Sequence, residues 1–177
     1  MEIRVVTKSG LPAVKAVLKE AFWRQGKSEV FNEWELAQRV MSDDGYIDEL
    51  CLLAKDEDNV VGYILLSRAT IGNLSGLSLG PVAVKPVRQK SGIGKALMRH
   101  ALNKAKEMGF EWVAVLGGDY YRQFGFVDAS DFGVVLSENN PENVYLKILF
   151  LQDDMRTIPG GKLRYCSSFY DADGALL

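Results

Sequence analysis

Polar and apolar positions alternate over residues 3–7, and apolar ones then recur at helical spacing through Val14, Val17, Leu18, Ala21 and Phe22. The change of period predicts a short strand followed by an amphipathic helix, with Pro12 at a first-turn position where a missing N–H breaks no bond. Gly26 to Ser28 interrupt that pattern. Phe31, Trp34, Ala37, Val40 and Met41 then predict a second helix ahead of Asp43-Asp44-Gly45. Two apolar runs, residues 50–55 and 60–66, are joined by Asp56-Glu57-Asp58-Asn59, a polar connection that suits a hairpin turn. A third run, residues 74–84, ends near Pro86, which cannot donate to a ladder. Three antiparallel strands in a meander are the simplest reading.

From Gly92 the period changes again. Ile93, Leu97, Ala101, Ala105 and Met108 recur at fours and threes, and Gly109 follows as a natural helix stop. Residues 112–116 form a short β-rich run bounded by Gly117-Gly118, so strand, helix and strand here imply a parallel pair with a right-handed crossover. Residues 145–151 predict a further strand, Gly160-Gly161 a turn, residues 163–166 a weak last strand, and residues 171–177 a frayed end. No repeat or linker divides the chain. The expected architecture is one α+β domain over residues 1–177, an α/β sandwich whose mixed central sheet of six to seven strands carries helices on both faces. Its motif core spans 74–128, and 153–177 extends beyond it.

Composition removes several classes of function. A net charge of −2 shows no basic excess, so nucleic acid is not an expected partner. No apolar stretch approaches the roughly 18 residues of a membrane span, and Met1-Glu2-Ile3-Arg4 begins with strand-like alternation rather than a signal peptide, so a cytoplasmic protein is expected. Cys51 and Cys166 lie far apart and His100 is the single histidine, which leaves no spacing for a metal site or a disulfide framework.

The candidate chemistry lies between the third strand and the long helix, in Gln89-Lys90-Ser91-Gly92-Ile93-Gly94-Lys95. A glycine turn that opens a helix offers free backbone N–H groups and the positive end of the helix dipole, which together seat a phosphate. Spacing narrows the choice. A nucleoside-triphosphate loop requires Gly at Gln89 and Ser or Thr after Lys95, where Ala96 stands. A dinucleotide fingerprint requires a small residue at Leu97 and a strand that opens a βαβ unit, whereas the strand here belongs to an antiparallel run.

With Tyr121-Arg122-Gln123-Phe124-Gly125-Phe126 downstream, the pattern resembles the GCN5-related N-acetyltransferase superfamily from Ile3 to roughly Phe150. The turn looks like the family's Gln-x-x-Gly-x-Gly arm, and the second segment like its Tyr-x-x-x-Gly-Phe. The resemblance implies acetyl-CoA as co-substrate, no metal, and direct transfer to a primary amine of a small molecule or peptide. It assigns the diphosphate to Gln89, Lys90, Ser91, Gly92, Ile93, Gly94 and Lys95, and the thioester and pantetheine to the backbone of Val82, Ala83 and Val84. Tyr121 matches the position of the acid that protonates the leaving thiolate.

Lys85, Arg88 and Arg99 are further cations near the arm. A dedicated base is harder to name, because the central strand offers Ser75 and Ser78 where the family often has a carboxylate. Asp119, Glu49 and Asp48 are candidates, while His100 falls mid-helix, two turns from the phosphate end. The family's usual acceptor region carries Phe22, Trp23, Phe31 and Trp34, followed by Asp43, Asp44, Asp48 and Glu49, a mixture that suits a cationic amine. A non-catalytic acyl-CoA-binding or sensing module, a longer acyl group and a hydroxyl acceptor are the alternatives, and monomer and homodimer both stay open.

Overall fold

The apolar residues of two central strands decide the layering. β2 (Cys51–Asp56) and β3 (Asn59–Ile71) turn Leu52, Ala54, Ile64 and Leu66 to one face, and Cys51, Leu53, Tyr63 and Leu65 to the other. The computed structural model describes residues 1–23, 33–152 and 158–177. In it α1 (Leu11–Ala21) and α2 (Glu33–Val40) cover the second face through Val14, Val17, Leu18, Trp34, Ala37 and Val40. α3 (Ile93–Glu107) covers the first through Leu97, Met98, Ala101, Leu102 and Ala105. Strands buried on both faces read as continuous apolar runs, which is why residues 50–54 and 60–66 show no alternation in the sequence. The Phe31 and Gly26 to Ser28 expectations lie outside the described residues.

The remaining strands are β1 (Glu2–Val5), β4 (Leu74–Val84), β5 (Trp112–Leu116), β6 (Val127–Asp128), β7 (Val134–Val135), β8 (Leu146–Phe150) and β9 (Gly161–Tyr165). The main order is β1-β2-β3-β4-β5-β8-β6, with β9 paired to the far end of β3 and β7 paired to β9. The sheet is mixed, as expected: β4 and β5 run parallel across the α3 crossover, whereas β1 to β4 form an antiparallel meander. Nine strands are present among the described residues, where six to seven were expected. The excess comes from β6 and β7, two residues each, too short for any period to register.

The C-terminal tail departs from the expectation of fraying. Asp171 N–H donates to the Ala175 carbonyl and Leu177 N–H to the Phe169 carbonyl, both at 2.9 Å, so the chain folds back on itself. Asp43 holds the preceding turn, accepting from Ser167 Oγ (2.6 Å), Ser168 Oγ (2.7 Å) and Ser168 N–H (2.8 Å). Arg39 donates to the Tyr170 carbonyl at 3.1 Å. Burial alone would raise the Asp43 carboxyl, but these donors and the Gly45 N–H outweigh it and bring the group down to about 2. The tie joins residues more than a hundred positions apart, so nothing local announces it.

Candidate active site

Where β4 and β5 part, the sheet opens. Their parallel pairing ends at Leu79↔Val115, yet β4 continues along β3 through Ile64↔Val82, Tyr63↔Ala83 and Gly62↔Val84. Lys85 N–H donates to the Val61 carbonyl at 2.9 Å, and by the two-residue alternation of an antiparallel ladder Ala83 also faces β3. The N–H groups of Val82 and Val84 therefore point to the edge that β5 has left. On that side the Gln89 amide reaches the Val84 carbonyl at 3.2 Å.

The chain then turns through residues 86–88 and enters α3 at Gly92, whose φ of 86° lies in the left-handed region that favours glycine. Lys90 is left-handed too, at φ 60°. No side chain caps this helix start and no acidic residue stands in its first turn, so its N–H groups and dipole are left for an anion. Alternating left- and right-handed residues aim successive N–H groups into one concavity.

The resulting cavity holds about 440 Å³, and every residue expected to bind the cofactor lines it except Ser91. The Ser91 hydroxyl is turned back to donate to the Arg88 carbonyl at 2.5 Å. Arg88 lines the cavity while paired with Asp56, whereas Lys85 is drawn off to Glu20 at 3.2 Å. Lys90 and Lys95 also line it and form no ion pair among the described residues. Arg99 and His100 are exposed on α3.

Tyr121 closes the opposite wall, in a short helical turn over residues 119–124. Its ring lies against Gly117, where a Cβ would come within 2.1 Å of Cε2, so only glycine fits there. Burial, with a smaller contribution from neighbouring Tyr120, pushes its phenol up to about 12, and the group keeps its proton at neutral pH. A charged network anchors the turn. Arg122 donates twice to Asp128 (2.7 and 2.8 Å) and once to Asp119 (3.0 Å), and the buried Lys147 donates to Asp128 at 3.2 Å and to the Val144 carbonyl at 2.7 Å. Tyr120, which the sequence marks only as a neighbour, lines the cavity as well, its hydroxyl 3.0 Å from where a Cβ on Gly94 would stand.

A second cavity, of about 320 Å³, begins where the first ends, and the two share Val82 and Tyr121. Leu79, Gly80, Pro81 and Leu116 form its floor at the strand opening, Phe22, Glu33 and Leu36 one side, and Tyr165, Phe169, Leu176 and Leu177 the other. Of the expected acceptor residues only Phe22 reaches it among those described. Trp23 is exposed, Trp34 is buried in the core, and Asp43 is occupied by the C-terminal turn. Asp44, Asp48 and Glu49 line neither cavity, and Asp119 is exposed and paired with Arg122. Ser75 is exposed, and Ser78 is buried against Ser67 at 3.2 Å. Glu33 and Leu36, one helical turn apart, share a face, a spacing visible in the sequence but without a partner there to give it meaning. No group of three metal-ligating side chains occurs among the described residues, and no helix among them is long and apolar enough to cross a membrane.

Comparison with known proteins adds an independent line. The family model described as "Acetyltransferase (GNAT) domain" matches residues 48–128. The uncharacterized N-acetyltransferase YjhQ of Escherichia coli K12 is 36% identical over 99 residues, covering 53% of this chain and 55% of YjhQ, so the chain matches little more than half the length of that relative. The uncharacterized N-acetyltransferase YhbS of the same strain is 25% identical over 129 residues, covering 71% of this chain and 73% of YhbS. A GNAT family acetyltransferase from Brucella melitensis, solved in complex with acetyl-CoA, aligns with a TM-score of 0.76 at 27% identity, covering 95% of this chain and 97% of that one. E. coli YhbS in complex with CoA aligns with a TM-score of 0.83 at 23% identity, covering 95% and 91%, a likeness of fold.

Proposed function

We propose that the chain is a member of the GCN5-related N-acetyltransferase superfamily, to which its matches point, and that it transfers an acetyl group from acetyl-CoA directly to a primary amine. The observation that carries this reading is the junction of two cavities at Val82 and Tyr121, one floored by an uncapped helix start and the other open to a second substrate. The diphosphate of acetyl-CoA sits on the N–H groups of the turn ending in Gly92-Ile93-Gly94-Lys95. Pantetheine runs along β4 in the place that β5 vacates, and Val82 N–H polarises the thioester carbonyl. The complex of the Brucella relative with acetyl-CoA supports this donor.

The reaction follows from these positions. An ammonium first gives one proton to solvent, and the free amine attacks the thioester carbon, forming the C–N bond. As the tetrahedral species collapses, the C–S bond breaks, Tyr121 Oη gives its proton to the departing sulfur, and the nitrogen loses its second proton, which restores the phenol through solvent. The products are an N-acetyl amine and CoA thiol. A phenol held near 12 stays loaded as an acid across the neutral range.

Tyr121→Phe keeps the ring against Gly117 and removes only the hydroxyl. We expect kcat for thiol release to fall about a hundredfold or more, within the range general acid catalysis spans, with CoA affinity unchanged. Unaltered kcat removes Tyr121 from the acid role.

A further inference from the structure

The second cavity has a chemical character of its own, and we infer that it selects a small primary amine carried on an apolar, aromatic or branched aliphatic body, with Glu33 receiving the ammonium. The inference rests on the transferase reading and adds the acceptor class to it. Glu33 is the only side-chain carboxylate among the described residues that line the cavity, and no lysine, arginine or histidine is among them. The other described side chains that line it are aliphatic or aromatic, drawn from the end of α1, from α2, the strand opening, the Tyr121 turn, β9 and the C-terminal tail. Among these side chains one carboxylate is available to one ammonium. A polyamine or an aminoglycoside would leave further charges or many hydroxyls against an apolar wall, where unpaired polar groups are penalised.

Size and position agree with the chemistry. About 320 Å³ is at the small end of ligand pockets, which run from roughly 300 to 1,000 Å³. Leu176 and Leu177 form part of the wall because the tail doubles back onto Phe169, so the tail helps to exclude water from the amine's body. Glu33 supplies charge complementarity at α2, while Val82 and Tyr121 mark the end facing the thioester. A bound amine so oriented meets Glu33 on approach, then gives up a proton and attacks at the junction. Glu33 is thus assigned to acceptor binding.

The test is a panel of amines with the full-length chain and acetyl-CoA, read as CoA thiol release, alongside CoA binding by calorimetry. 2-Phenylethylamine and isoamylamine represent the proposed class, and spermidine, kanamycin, free lysine and a peptide with a free apolar N-terminal residue represent the others. The expected result is kcat/KM for the apolar monoamines at least about tenfold above every other acceptor, with KM for them raised about tenfold in Glu33→Gln and CoA affinity unchanged, the size of one charge-assisted contact. Leu176→Asp, at an exposed tail position that leaves the core intact, should raise the same KM. Faster turnover of spermidine, kanamycin, lysine or the peptide overturns the acceptor class and leaves the transferase reading standing. Unchanged KM in Glu33→Gln overturns the role of Glu33. CoA binding with no amine turned over overturns the transferase reading, and the acceptor class falls with it.

Discussion

The two cavities that meet at Tyr121 are built by opposite means. The cavity proposed for the cofactor is made largely of main chain: N–H groups at a helix start, an unpaired strand edge, and glycine where a Cβ would intrude. Apart from Val82 to Val84, Tyr120 and Tyr121, its lining falls within residues 88–95. The cavity proposed for the acceptor is made mainly of side chains, brought from the end of α1, from α2, from three strands (β4, β5 and β9), from the turn that carries Tyr121 and from the tail after β9. A main-chain site binds what every cofactor molecule of that kind has in common, whereas a side-chain site can be remodelled one residue at a time. Such a division lets one fold keep its donor while the acceptor changes.

Substitutions on each side should separate these modes. The largest effect beyond the loss of Tyr121 is expected at Gly92, where valine would have to adopt φ 86°. Left-handed strain of about 1–2 kcal/mol, together with N–H groups turned from their common focus, should weaken CoA binding about tenfold or more in calorimetry. KM for the amine should hardly move. An unchanged CoA affinity would mean that the turn's conformation does not bind the cofactor.

A smaller effect is expected from Asp128→Asn, which touches neither cavity. It removes the charged partner of the buried Lys147 ammonium and leaves Arg122, the neighbour of Tyr121, with Asp119 as its one remaining carboxylate. Urea denaturation should show a loss of about 1–3 kcal/mol, and kcat should fall several-fold with both binding constants retained. Loss of CoA affinity instead would show that the network supports the wrong cavity.

The smallest effect concerns the tail that walls the second cavity. Asp43→Asn weakens the hold on the turn at Ser167 and Ser168, so stability should drop by about 1 kcal/mol at pH 6 and KM for the amine should rise. The Asp43 carboxyl is depressed in the folded protein, so its contribution is full above the unfolded value of 3.8 and is lost as pH falls toward about 2. The stability gap between wild type and variant should therefore close over that window. A gap that stays constant from pH 6 to pH 2 would show that the ionised carboxylate is not what holds the tail.

The same division explains what could be read from the residues alone. Gly92 and Gly94 report backbone conformation directly, and Pro86 and the period change at Ile93 mark the strand end and helix start, so the uncapped glycine turn and the α3 crossover were legible. The second cavity was legible only at Phe22. Asp43, expected beside the amine, ties down the tail instead. Glu33, Tyr165, Phe169, Leu176 and Leu177 acquire meaning only when residues 158–177 return to the mouth of the sheet. Tyr120 illustrates the intermediate case: its neighbour matched a motif, but the hydroxyl over Gly94 depends on how the turn 119–124 folds.

The junction at Val82 and Tyr121 is best probed by a crystal structure of the chain with acetyl-CoA. The diphosphate should lie within hydrogen-bond reach of the N–H groups of residues 92–95. The thioester carbonyl should sit on Val82 N–H, the sulfur beside Tyr121 Oη, and the acetyl group should face the cavity that Glu33 lines. A pantetheine arm that leaves the β4 edge, or a sulfur out of reach of Tyr121, would rule this arrangement out.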